Sequence, residues 1–363
     1  MEVASTMLKL YKYVCLMAFI ILVLTFAMYI VMASSMGFSV SPVLPENQRN
    51  NGNTFFDLLV SPGQEQDISI IVNNSTDEDF VVLVETVTAS TNRNGDINYT
   101  PMGQMMDESL KNALEDIATV PESHYSIPAN SNLQVPINLA IPNEPFDGII
   151  LGSIRVLREA TEEERAAAGS IVNQMAFVNV VRLVQDEGAE DIPADFELGD
   201  ITAELINFRA GIVANIRNTQ PKLVRGASSS AKIFPKGSDE AIFERVLVDL
   251  DFAPNSIFPF SLIDEAGFGV EAGDYTAIIS ITYQDETWNF EQDFTIEPLA
   301  AAEANEGALN QATQQRPMVP TDESTYGIPQ WAIIGMTIGV LILIGIVVLI
   351  IKSFRKKPTD SQP

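Results

Sequence analysis

The chain has 363 residues, a formal net charge of −27, one Cys, one His and 46% hydrophobic residues, a length that suits about two domains with extra segments. The charge excludes nucleic acid and acidic lipid as favoured partners and attracts cationic surfaces or divalent ions, although acidity also simply keeps an exported protein soluble. One Cys excludes an internal disulfide, and one His with no Cys nearby excludes the usual zinc sites.

From the N-terminus, residues 14–33 (VCLMAFIILVLTFAMYIVMA) carry no charge and reach the roughly 20 apolar residues that span a bilayer. They follow Lys9 and Lys12 and lead into Ala33-Ser34-Ser35, so residues 1–35 read as a secretory signal peptide or an uncleaved anchor. Residues 328–351 are a second charge-free stretch, followed by Lys352, Arg355, Lys356 and Lys357. Basic flanks stay in the cytoplasm, so this stretch predicts a single C-terminal transmembrane helix with a cytoplasmic tail, 352–363. The chain is then expected in the cell membrane, with its middle block outside. Removing the +3 of the tail and the +1 of the N-terminal flank leaves −31 on that block.

Within the block, strand signals dominate. Residues 68–72 (ISIIV) and 80–88 (FVVLVETVT) are β-branched runs separated by a polar turn. NRNGDINY, from Asn92 to Tyr99, reads as an Asn-Gly hairpin turn or, with its alternating oxygen side chains, as a Ca²⁺ loop. Residues 107–118 (DESLKNALEDIA) place Leu110, Ala113, Leu114 and Ile117 on one helical face, with Asp107 as a candidate cap. Leu133, Val135, Ile137 and Leu139 alternate with Gln134, Pro136 and Asn138, a half-buried strand that Pro136 marks as an edge. Residues 149–158 and 175–184 form another apolar pair around the polar TEEERAAAGS.

Acidic, Gly- and Pro-containing residues 186–195 (DEGAEDIPAD) set a domain boundary. Beyond it, Val246, Val248, Leu250 and Phe252 alternate with Leu247, Asp249 and Asp251, and Tyr275, Ala277, Ile279, Ile281 and Tyr283 form a further period-2 run. Trp288, Phe290, Phe294 and Ile296 share a face in the last run. The fold class is therefore all-β: two immunoglobulin-like β-sandwich domains in tandem, at 38–187 and 196–298. Residues 299–326, poor in large apolar side chains, read as a disordered stalk.

Catalytic signals are weak. His124 sits alone in PESHYSIPA, and no GxSxG, P-loop or dinucleotide fingerprint occurs. The reading is a binding protein, not an enzyme, with no cofactor, no metal and no catalytic residues.

Several segments in series resemble one family. PVLPENQ (42–48), FFDLLVSPGQEQ, TASTNRNGDINY and PNEPFDGIILGSI resemble the first domain of the WxL-interacting proteins of Gram-positive bacteria. DFAPNS (251–256), AGDYTAIISI and ETWNFEQDFTI resemble that family's second domain. The resemblance spans about 38–298 and implies a peptidoglycan-binding domain followed by a host-binding one, as well as a partner carrying the WxL cell-wall domain and a host extracellular-matrix protein as a further ligand. Within the matching motifs, Asn47, Gln48, Asp57, Thr91, Asn92 and Tyr99 are the candidate ligand-binding residues, because amides and aromatics suit sugar rings and N-acetyl or peptide groups. The alternative for these motifs is that they build turns and fill the core. The expected function is a surface adhesion or scaffold protein. The other reading is a membrane-anchored sensor, or an accessory subunit of a surface enzyme complex.

Overall fold

A computed structural model of the chain describes residues 37–103, 105–168, 174–263 and 269–314. The first sandwich contains β1 (Phe38–Val43), β2 (Phe56–Leu59), β3 (Glu65–Asn74), β4 (Phe80–Thr88), the short hairpin β5 (Ser90–Thr91) and β6 (Ile97–Asn98), helix α1 (Leu114–Ile117), β7 (Ala118–Thr119), β8 (His124–Ile127), β9 (Ser131–Ala140), β10 (Ile150–Arg158), helix α2 (Glu162–Ala168) and β11 (Ala176–Val184). One sheet has the order β1-β3-β9-β7 and the other β2-β11-β10-β4-β8. Their facing sides share one core, in which Ile70, Val135 and Ile137 of the first sheet meet Val82, Ile154 and Leu183 of the second. Alternation decides which side chains enter it. In β9, Val135, Ile137 and Leu139 are buried, whereas Gln134, Pro136 and Asn138 are exposed. Among the described residues, β9 pairs beyond β3 only with the two-residue β7, at Leu139 and Asn138. Pro136, which has no N–H to give a ladder, therefore lies where no strand covers β9 on that side.

The 176–184 strand pairs antiparallel with β10 from Ile150↔Leu183 to Leu157↔Ala176, and β2 adds to it in parallel. Its Val181 and Leu183 fill the first core. The second sandwich then runs β12 (Phe196–Ile206), β13 (Arg209–Asn218), β14 (Val224–Pro235), β15 (Phe243–Phe252), β16 (Ser256–Ile263), β17 (Gly273–Tyr283) and β18 (Glu286–Ile296). It forms sheets β12-β13-β16 and β15-β14-β17-β18, a three-plus-four arrangement with the inter-sheet crossovers of an immunoglobulin-like sandwich. An aromatic series fills its centre: Phe252 lies edge-on to Phe196 and Phe258, and Phe196 edge-on to Trp288.

Three expectations change. Only Leu114–Ile117 of the 107–118 segment is helical. Residues 105–109 run instead along the second sandwich, where Met106 bridges Ser256 and the Ile257 N–H donates to the Met105 carbonyl at 3.1 Å. Those contacts between domains outweigh the local helical periodicity. The 299–326 stalk is also revised, because helix α3 (Pro298–Gln314) takes up its first half. Alanine is the best helix former, and Ala301 and Ala304 pack into the second core.

The third correction concerns location. Placement in the cell membrane through one C-terminal span is not upheld, since among the described residues no helix is long and apolar enough to cross a membrane. The longest described helix, α3, has 17 residues and includes Glu303 and Glu306, both shorter and more polar than a span requires. The segments 1–35, 328–351 and 352–363 lie outside the described residues.

Candidate functional site

The two sandwiches meet across a joint with a small core of its own. Ala89, Ile149, Leu151 and Val184 of the first domain pack with Ala189 of the connecting segment and Ala253 of the second domain, and Tyr99 and Leu223 close around them. Burial pushes the Tyr99 phenol above its usual pKa. Polar latches surround this core. The Thr91 hydroxyl is 2.7 Å from the Ser256 hydroxyl and accepts the Ala253 N–H at 3.0 Å. Arg217 holds the buried Asp107 carboxylate at 2.5 Å and also reaches Glu108 and Glu197, each at 2.8 Å. Burial alone would raise the Asp107 pKa. The hydrogen bonds from Arg217 and Ser109 outweigh it and hold the carboxyl below its ordinary range, while the Asp107 hydrogen bond raises that of Arg217.

Beside the joint lies a cleft of about 860 Å³, walled by both domains. One wall is the loop 142–148, pinned at each end. Gly63 N–H donates to the Pro142 carbonyl at 2.9 Å, and Phe146 N–H donates to Gln185 Oε1 at 3.0 Å. Gly148 sits at φ +74°, where a Cβ would come within 2.3 Å of the Pro221 carbonyl oxygen; only glycine allows that approach. The Ile149 N–H then donates to the same oxygen at 2.8 Å. A second wall is the segment 109–112, held by Asn255 Nδ2, which donates to Ser109 Oγ at 2.9 Å. The second domain adds the turn 219–221 and residues Pro254 and Asn255, with the Asn255 N–H donating to the Gln220 carbonyl at 3.0 Å. Two motifs distant in sequence, PNEPFDG and DFAPNS, thus face one space. Four prolines, at 142, 145, 221 and 254, stiffen its walls. Among the described residues, the side chains of Lys111, Asn112, Asn143, Glu144, Asp147 and Gln220, all in the lining, make no hydrogen bond or ion pair.

The six residues singled out from the sequence lie elsewhere, in two groups. Asn47, Gln48 and Asp57 come together beside β2. Asn47 and Gln66 exchange amide hydrogen bonds at 3.0 and 2.9 Å. Gln48 donates to the Phe55 carbonyl at 2.9 Å and accepts the Asp57 N–H at 3.1 Å. The Asp57 carboxylate faces Arg49 at 3.3 Å and Arg182 at 3.7 Å. Thr91, Asn92 and Tyr99 belong to the joint. Asn92 caps the hairpin by accepting the Asn94 and Asp96 N–H groups at 2.8 and 3.1 Å. The hairpin tip docks on β15, where the Asp251 N–H donates to the Gly95 carbonyl at 2.7 Å. Neither group lines the cleft. Asn143, Glu144 and Asp147 stand in the PNEPFDG motif and Gln220 in a turn of the second domain, and none of the four carries a ligand signal in the sequence beyond its loop setting. The cue in the sequence is a loop dense in Pro and polar residues. The lone His124, on the outer strand β8, touches Ser123 Oγ at 2.8 Å and Glu159 at 3.5 Å while its side chain remains 52% exposed.

The family model described as WxL Interacting Protein, peptidoglycan binding domain, matches residues 38–158, and the one described as WxL Interacting Protein, host binding domain, matches residues 167–306. The chain belongs to the WxL-interacting proteins. It carries both binding domains of that family in tandem, which accords with a surface adhesion or scaffold role. The division between the two family domains falls before β11, although that strand is hydrogen-bonded into the first sandwich. Among solved structures, the class 5 fimbriae chaperone CfaA is 8% identical over 72% of this chain and 99% of its own, with a TM-score of 0.28. The CupB2 chaperone of Pseudomonas aeruginosa is 12% identical over 66% of this chain and 97% of its own, with a TM-score of 0.26. The Salmonella enterica SafA pilin–SafB chaperone complex is 12% identical over 65% and 98%, also with a TM-score of 0.26. Scores this low carry no argument. No curated protein matches the chain.

Proposed function

We propose that this WxL-interacting protein is a non-catalytic scaffold at the cell surface: its first domain grips peptidoglycan, and the chain captures a protein bearing a WxL domain. The second domain then presents a surface to a host extracellular-matrix protein. The observation that carries this reading is the tandem match to a peptidoglycan-binding and a host-binding domain. The latched joint supports it, because a scaffold must hold one ligand at a set position relative to another. Domains 38–187 and 196–298 are the proposed units, with β11 completing the first. Asn47, Gln48, Asp57, Thr91, Asn92 and Tyr99 serve this function by shaping the domain and the joint on which the binding surfaces stand. The test is a pull-down of the full chain on purified peptidoglycan sacculi, with turbidity followed in parallel and a WxL-domain protein offered to the bound complex. Retention, constant turbidity and capture of that protein are expected. Clearing of the suspension, or failure to retain the chain, overturns the reading.

A further inference from the structure

We infer that the cleft between the two domains is a binding site for an extended peptide carrying an ammonium group, and so engages the peptide arms of the wall polymer rather than its sugar chain. This rests on reading the chain as a wall binder and assigns the ligand chemistry of one site. The volume of about 860 Å³ lies in the range of ligand clefts. Three unengaged primary amides line it, Asn112 and Asn143 from the first domain and Gln220 from the second. Each presents a donor beside an acceptor, the complement of a peptide group's C=O and N–H. Glu144 and Asp147 supply carboxylates with no cation paired to them among the described residues, and Lys111 supplies one ammonium. A ligand with its own ammonium and a terminal carboxylate answers both signs, and the −31 charge of the surrounding block favours the approach of the cation. The rigid proline walls accept small aliphatic side chains without ordering cost, since proline has no side-chain rotamers to lose. A sugar ring calls for a different lining, a flat exposed aromatic face. Among the described residues, Phe146 is the one aromatic in the lining; it is half-buried and packs against the first core.

The experiment measures binding of the full chain to three probes: a synthetic pentapeptide with one lysine, the same peptide with that lysine acetylated, and an amino-sugar disaccharide without peptide. Sacculus retention is measured on the same preparations. The lysine peptide should bind, and acetylation should weaken it by about tenfold, the scale of a lost hydrogen bond to a charged group. The E144Q/D147N double variant should weaken the lysine peptide by a similar factor while leaving the acetylated one nearly unchanged. Both side chains are exposed and unpaired, so the variant should melt like the parent chain. Disaccharide binding as tight as the peptide's overturns the assignment, as does peptide binding indifferent to both acetylation and the double substitution. In either case, continued retention on sacculi keeps the wall-binding reading. Loss of sacculus retention in the unmodified chain removes that reading and this inference with it.

Discussion

Asp107 and Arg217 form the most deeply placed charge pair of the joint, with side-chain exposures of 1% and 21%. Removing the carboxylate leaves Arg217 with Glu108 and Glu197, both at the surface, so D107N should cost about 1–3 kcal/mol at neutral pH. The loss should depend on pH with a definite sign. The ordinary aspartate value is 3.8, and the folded value lies below it. The pair's contribution is therefore complete above 3.8 and is lost as the pH falls through the folded value. Melting curves of the parent and D107N should differ at pH 7 and converge under strongly acidic conditions. A gap that stays constant through that range would mean the carboxylate's charge plays no part.

At the scale of elements, the loop 142–148 is held in shape by Gly148. An alanine there meets two costs, the left-handed backbone at φ +74° and the Pro221 carbonyl. Gly103 provides the comparison, with φ +71° and nothing within 4 Å of a built Cβ. G103A should lose only the backbone share, about 1–2 kcal/mol. G148A should lose more and should also loosen the cleft, because the Pro221 oxygen it displaces accepts the Ile149 N–H. Chemical denaturation of both variants separates the two costs. Equal losses would show that the approach to Pro221 contributes nothing.

The whole molecule should unfold as a coupled pair of domains. The joint buries an apolar cluster, the Thr91–Ser256 hydroxyl pair and the Asp107–Arg217 clamp. Such contacts tie two sandwiches into one cooperative unit. Calorimetry on the full chain should show one dominant transition, and a T91V/R217A variant should resolve it into two. T91V leaves the buried Ala253 N–H without its acceptor, a cost of about 1–3 kcal/mol. Two transitions already present in the unmodified chain would mean that the domains fold separately and the joint is only a contact. The same joint makes the cleft a property of the pair, since neither domain alone encloses it.

Much of the β architecture could be read from the residues because alternation is a local property. A chain that places Val135, Ile137 and Leu139 at every second position has only one face to bury, whatever lies beyond it. The same holds for Tyr275, Ala277, Ile279 and Ile281 in β17. The residues also supplied the family, through motifs whose order survives without any knowledge of contacts. Tertiary structure alone decided the rest. Asp107 looks like a helix cap until Arg217, far along the chain, takes its carboxylate, and nothing in the sequence around Thr91 points to Ser256 and Ala253, which its hydroxyl meets. Ala301 and Ala304 read as linker because their small side chains carry little apolar signal, yet small size is what lets α3 lie close against the second core. The cleft was the least legible feature. Its walls come from segments near 110, 145, 220 and 255, and no pattern within any one of them records which others it will face. That is set by the free energy of packing two finished domains together, a sum over contacts distant in sequence.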